Sequence, residues 1–145
     1  MKKFLMMFCV ALVCATVFNG CSKKDDDSND PQKQIIGKWK VTTVNLTLNG
    51  SPVTGAVLED AKENIGLTMD FKSDLSFTSK GAEGITRTGT YLFSDGVLKL
   101  TGNETGEVDS DPVKITISES KLIINTKYYV QEITYDQELI FARVN

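Results

Sequence analysis

Histidine is absent from this chain of 145 residues, and cysteine occurs three times, proline three times and tryptophan once. Without histidine there is no Ser-His-Asp triad and no imidazole ligand for a metal. Cys9 and Cys14 lie in the first apolar segment, which leaves Cys21 as the one later thiol, and a single thiol forms no internal disulfide. The glycine-rich phosphate and dinucleotide fingerprints and the GxSxG nucleophile elbow are also missing. Catalysis here would have to rest on carboxylates, lysines, hydroxyls and tyrosines. The longest apolar run, Phe4 to Phe18, falls short of the roughly 20 residues that cross a bilayer core.

That run has a different meaning. Met1-Lys2-Lys3 supplies a basic start, the apolar stretch follows, and Asn19-Gly20-Cys21 ends it with small or polar residues, the layout of a secretory signal over residues 1–20. A thiol placed at the new N-terminus is where bacterial lipoproteins are acylated, and Val17-Phe18-Asn19-Gly20-Cys21 resembles a lipobox, which implies lipidation of Cys21. One acyl chain holds a protein only marginally, at about 0.8 kcal/mol per buried CH₂, whereas several hold it durably. Residues 21–34 contain the run Ser22-Lys23-Lys24-Asp25-Asp26-Asp27-Ser28-Asn29-Asp30, with no apolar side chain to offset the entropy of ordering, so a solvated tether is expected. Lysines and then an acidic run just after a lipidated cysteine resemble the surface-export signal of Bacteroidetes lipoproteins. The resemblance implies an outer-membrane anchor facing the cell exterior, with a periplasm-facing anchor as the alternative.

Residues 35–145 amount to one domain's worth of chain. Losing Lys2 and Lys3 with the signal leaves 14 basic against 19 acidic residues, a net charge of −5. There is no basic stripe to suit a nucleic acid.

Within this domain apolar residues recur with period two between short polar turns, the pattern of half-buried antiparallel strands. In Ile36 to Leu48 the apolar parity changes, from Trp39 and Val41 to Val44, Leu46 and Leu48. That slip predicts a bulge near Thr42 and Thr43. Leu58, Ala61 and Ile65 at three- and four-residue spacing predict one short helix over Val57 to Asn64, too short to stand alone and so a lid on the core. Hairpins follow around Ser73-Asp74, Ser94-Asp95-Gly96 and Ser118-Glu119-Ser120. Tyr129, Ile133 and Tyr135, the polar pair Asp136-Gln137, and Leu139 to Val144 close the chain. The expected fold is all-β, a small antiparallel up-and-down barrel of about eight strands, because closure removes exposed edges and fits so short a meander.

Ile36-Gly37-Lys38-Trp39-Lys40-Val41, Phe71-Lys72-Ser73-Asp74-Leu75-Ser76-Phe77, Gly89-Thr90-Tyr91, Leu98-Lys99-Leu100 and Leu139-Ile140-Phe141-Ala142-Arg143-Val144 together resemble the lipocalin-like domain of Bacteroidetes lipoproteins. The resemblance implies that Gly37 and Trp39 open the barrel, that Trp39 plugs one end, and that Arg143 covers its ring. It also implies a small hydrophobic or carbohydrate-derived ligand, for which Met69, Phe71, Phe77, Tyr91 and Phe93 are the candidate lining residues. The same alternating rings also suit a filled core. In that case the domain is an interaction module that docks on an envelope protein. A carboxylate hydrolase using Glu104, Glu107, Asp109 and Asp111 is not expected, because those acids sit in a turn-rich loop with no apolar neighbours to raise one pKa. Oxygen donors from Asn103 to Asp111 are dense enough for calcium, yet the glycine and distal glutamate of an EF-hand are missing. No cofactor and no metal are expected.

Overall fold

The computed structural model describes residues 30–103 and 111–145. In chain order its elements are a helical turn α1 (Pro31–Gln34), β1 (Gly37–Leu48), β2 (Ser51–Pro52), helix α2 (Ala56–Ala61) with a 3₁₀ turn Lys62–Asn64, then β3 (Thr68–Phe71), β4 (Ser76–Lys80), β5 (Thr86–Ser94), β6 (Val97–Gly102), β7 (Val113–Ile117), β8 (Lys121–Val130) and β9 (Ile133–Val144). Eight of these strands pair antiparallel in the order β1-β3-β4-β5-β6-β7-β8-β9, and β9 pairs back onto β1 to close the barrel. The two-residue β2 folds back onto the end of β1. The protein is all-β apart from its short helical pieces, and the one expected helix lies where its spacing placed it.

Local chemistry explains the path. Val41 pairs with Phe141 and Thr43 with Ile140, so Thr42 is the extra residue of a bulge, and its hydroxyl donates to the Ile140 carbonyl at 3.2 Å. The bulge lets Trp39 and Val41, then Val44 and Leu46, all face inward. Asp95 and Gly96 both take positive φ, 53° and 74°, the mirror-image turn that matches the twist of a two-residue hairpin between β5 and β6. At Gly89 an added Cβ would lie 2.7 Å from the Phe77 ring and 2.1 Å from the Thr101 carbonyl oxygen. The absent side chain is what lets β4, β5 and β6 close around that ring.

Two features differ from the expectation. Asp136 and Gln137 are not a polar interruption: β9 runs unbroken from Ile133 to Val144, and the turn comes earlier, at Gln131, whose φ is 53°. Gln137 is an inward residue with 6% of its surface exposed. Residues 31–34, read as the end of the tether, form α1, and Gln34 is tied to the barrel by Arg143.

The meander fixes which connections share an end. The turns at residues 72–75, 95–96 and 118–120 lie with α1 and the end of β9. The segment containing α2, the β4–β5 connection and the β8–β9 turn lie at the other end.

Candidate functional site

The first end is plugged. Trp39 is fully buried beneath the Arg143 guanidinium, whose carbon sits 4.2 Å from the ring centroid, a cation-π geometry. The guanidinium donates to the carbonyls of Gln34 at 2.7 Å, Glu119 at 2.8 Å and Ile36 at 2.9 Å. Trp39 donates its indole N–H to the Ile35 carbonyl at 2.8 Å. Gly37, with φ 125°, leaves the space: a Cβ there would stand 2.7 Å from an Arg143 nitrogen. Gly37, Trp39 and Arg143 thus come together as one closure, with every polar contact directed at the chain itself.

The middle is filled. Met69, Phe71, Phe77, Tyr91 and Phe93 are all buried and belong to the main apolar cluster with Val41, Leu98, Leu122 and Phe141. Phe71 meets Tyr91 edge-on with ring centroids 5.0 Å apart and lies 6.4 Å from Phe77. The Tyr91 hydroxyl donates to the Lys72 carbonyl at 2.8 Å. Burial, with the Asp74 carboxylate second, pushes the Tyr91 phenol above its ordinary range. None of these five side chains borders the hollow spaces described next.

The other end is hollow and polar. Cross-strand partners share a face, so the pairings Met69–Ser79 and Ser79–Arg87 turn Ser79 and Arg87 inward, and Leu46–Gln137 and Thr126–Gln137 do the same for Thr126 and Gln137. A half-open cavity of about 790 Å³ is bordered by Leu67, Ser79, Arg87 and Tyr128, by the 3₁₀ turn and by the β4–β5 connection. A second half-open cavity, of about 770 Å³, is bordered by Leu46, Thr126, Gln137, Val53 and Leu58, with Asp136 and Glu138 also on its wall. Helix α2 and the turn after it separate the two: Leu58 borders the second, and Asp60 and Lys62 to Ile65 the first. Lys127 pairs with Asp136, which raises the lysine's pKa, and Asn45 donates to Glu138 at 2.8 Å. The Gln137 side-chain amide nitrogen is buried and has no hydrogen-bond partner among the described residues.

Sequence reasoning missed Gln137, although a signal was present. Ile133, Tyr135, Leu139, Phe141 and Arg143 are all odd, and so is Gln137, which puts it on the same inward face. Cys21, Glu104, Glu107 and Asp109 lie outside the described residues, and Asp111 is exposed. Among the described residues no group of three or more Cys, Asp or Glu side chains is arranged to hold a metal.

Fold and site define a small closed up-and-down barrel, plugged at the end where the chain enters and hollow at the other. No protein-family model matches the chain. No curated protein matches it either. Among solved structures it is similar to a DUF4847 family protein from Bacteroides vulgatus ATCC 8482, at 18% identity and a TM-score of 0.45, over 71% of this chain and 91% of that one.

Proposed function

We propose that this protein is a lipid-anchored cell-envelope binding protein that receives a small ligand at the open end of its barrel and catalyses no reaction. One observation carries the reading: polar residues on the inward register that do not serve the Trp39 closure, namely buried Gln137, half-buried Ser79 and Thr126, and exposed Arg87, all lie in the open half. At Gln137, the buried one, a barrel selected only to fold would carry an apolar residue, because burying a polar group costs free energy. Half-open cavities of 770 and 790 Å³ fall in the size range of small-molecule sites. The ligand candidates named from sequence, Met69 to Phe93, support the barrel as its packed floor in this reading.

The anchor follows from residues 1–27. Acylated at Cys21, the chain reaches the barrel at α1, beside the Trp39 closure. The tether then holds the protein by its plugged end and leaves the open end away from the membrane. The charged run Lys23 to Asp27 places the protein on the cell surface in this proposal.

A second reading, a docking module for an envelope protein, is favoured by the filled middle of the barrel. Native mass spectrometry of protein purified from a Bacteroidetes host, before and after organic extraction, separates the two. A co-purifying small molecule supports the binding protein, and a clean apo mass that also takes up no hydrophobic dye favours docking. For the anchor, a Cys21→Ala variant is expected to leave the membrane fraction in buffer alone, and retention there would refute lipidation.

A further inference from the structure

We infer that the open end of the barrel is a docking surface for a protein segment that presents apolar side chains flanked by lysine or arginine. The inference goes beyond the ligand reading above and needs no small molecule. Ile65, Ile85, Tyr129 and Ile133 are 41%, 61%, 70% and 45% exposed. They stand on three separate stretches at this end: the turn before β3, the connection before β5 and the β8–β9 hairpin. Tyr128, the neighbour of Tyr129, borders the 790 Å³ cavity together with Ile65 and Ile85, so the three stretches meet around one opening. Large apolar side chains gathered in water at one place mark a surface that another molecule covers.

The charges at this end choose the cover. Lys62 is paired with Glu59 at 2.8 Å, and Lys127 with Asp136. The exposed carboxylates of Asp60, Glu63, Glu83 and Glu132 have no ion pair among the described residues. Of the other cations at this end, Lys80 and Arg87, Arg87 already has a partner. Each exposed carboxylate contributes little alone, yet four together hold the mouth at negative potential and steer a basic partner toward it. An anionic lipid surface would be repelled, and so would a second copy presenting the same mouth. A small molecule is too little cover: neither Ile133 nor Tyr129 borders the two cavities at the mouth, so a ligand seated there leaves both in water. A protein segment laid across the mouth reaches all four side chains, with its cations over the carboxylates at the edge.

The test uses three short synthetic peptides in which leucine alternates with lysine, with glutamate or with serine. Each is titrated into the ¹⁵N-labelled chain from residue 21 onward, carrying Cys21→Ser, which contains every described element. The lysine peptide is expected to shift the backbone amides of Ile65, Ile85 and Ile133 and to bind about tenfold tighter than the glutamate peptide. Its affinity should fall as salt is raised from about 50 to about 500 mM, because these charges are exposed. Ile85→Ser should weaken it about fivefold while leaving the melting temperature unchanged, since that side chain is already mostly in water. Leu92→Ser, at a residue 65% exposed on the outer wall of β5, should bind like the parent. Glutamate or serine peptides that bind as tightly, an equal loss in Leu92→Ser, shifts confined to other residues, or no binding of any peptide at about 1 mM each overturn the inference. A small molecule found by native mass spectrometry, with no shift from the lysine peptide, overturns this inference and leaves the ligand reading standing. The lysine-peptide shifts with a clean apo mass do the reverse.

Discussion

Replacing Arg143 with methionine keeps most of the stem that packs on Trp39 and removes the fork that joins Gln34, Ile36 and Glu119. Hydrogen bonds from a charged donor contribute about 1.5–3 kcal/mol each, and the two to Gln34 and Ile36 are partly buried, so their gross worth is about 3–6 kcal/mol. The contact over the indole adds about 0.5–2 kcal/mol. Water reaching the freed carbonyls recovers about half of this sum, leaving an expected loss of about 3 kcal/mol. Against a domain stability of about 5–15 kcal/mol that is a large fraction. Trp39 is the single tryptophan and is fully buried, so its fluorescence reads this end of the barrel directly. In urea, with a slope of about 2 kcal/mol per molar, the midpoint should fall by about 1.5 M. Arg143→Lys restores the charge but not the planar fork, and should recover less than half. A loss under about 1 kcal/mol for Arg143→Met, or full rescue by lysine, would refute the claim that fork geometry closes this end.

Gly89→Ala should destabilise the protein by about 3 kcal/mol or more in the same urea assay, because its Cβ meets the Thr101 carbonyl oxygen at 2.1 Å and β5 can only move away from β6; an unchanged midpoint would show that the sheet yields freely there. Tyr91 is raised above its ordinary 10.0 by burial and then by Asp74, so its contribution is intact below pH 10 and is lost as pH rises through the higher folded value. In an absorbance titration, Tyr91→Phe should remove a phenol that ionises above pH 10, and it should flatten the loss of stability above that pH. Asp74 is lowered below 3.8 by hydrogen bonds from the Ser76 hydroxyl and backbone N–H, so its contribution is present above that value and is lost as pH falls below it. Asp74→Asn should remove that acid-side slope in a stability profile between pH 5 and about 2.

The barrel was legible because its signals are local and repeat. Alternation marks each inward face, the parity change at Thr42 marks the bulge, and Asp95-Gly96 marks a turn whose backbone few other pairs adopt. The closure of Gly37, Trp39 and Arg143 was legible only through likeness to a family. Nothing in local pattern says that residues 39 and 143 meet, since β9 reaches β1 only after the whole sheet has curled. The lining of the other end was misread for a physical reason. Polar residues usually mark turns because buried polar groups are costly, and that rule put a break at Asp136-Gln137 where the strand continues. Where a polar residue is kept inside, the rule and the parity disagree, and such disagreements gather at functional positions.

The two ends divide the work of the fold. Leu46, beside Gln137, is seven residues along β1 from Trp39, about 23 Å at the usual rise of a strand. Burial of the indole, the guanidinium fork and the ring cluster of Phe71, Phe77 and Tyr91 concentrate stabilising contacts in the closed half and the middle. The buried amide of Gln137 lies at a distance where it does not disturb the closure. Because contributions from sites so far apart add independently, the open half can change its lining without loosening the plug. The chain's entry at α1 fits this division: whatever pulls on residues before Pro31 acts on the end tied by Arg143, where the contacts are densest in charge-assisted bonds, and leaves the open cavities unstrained.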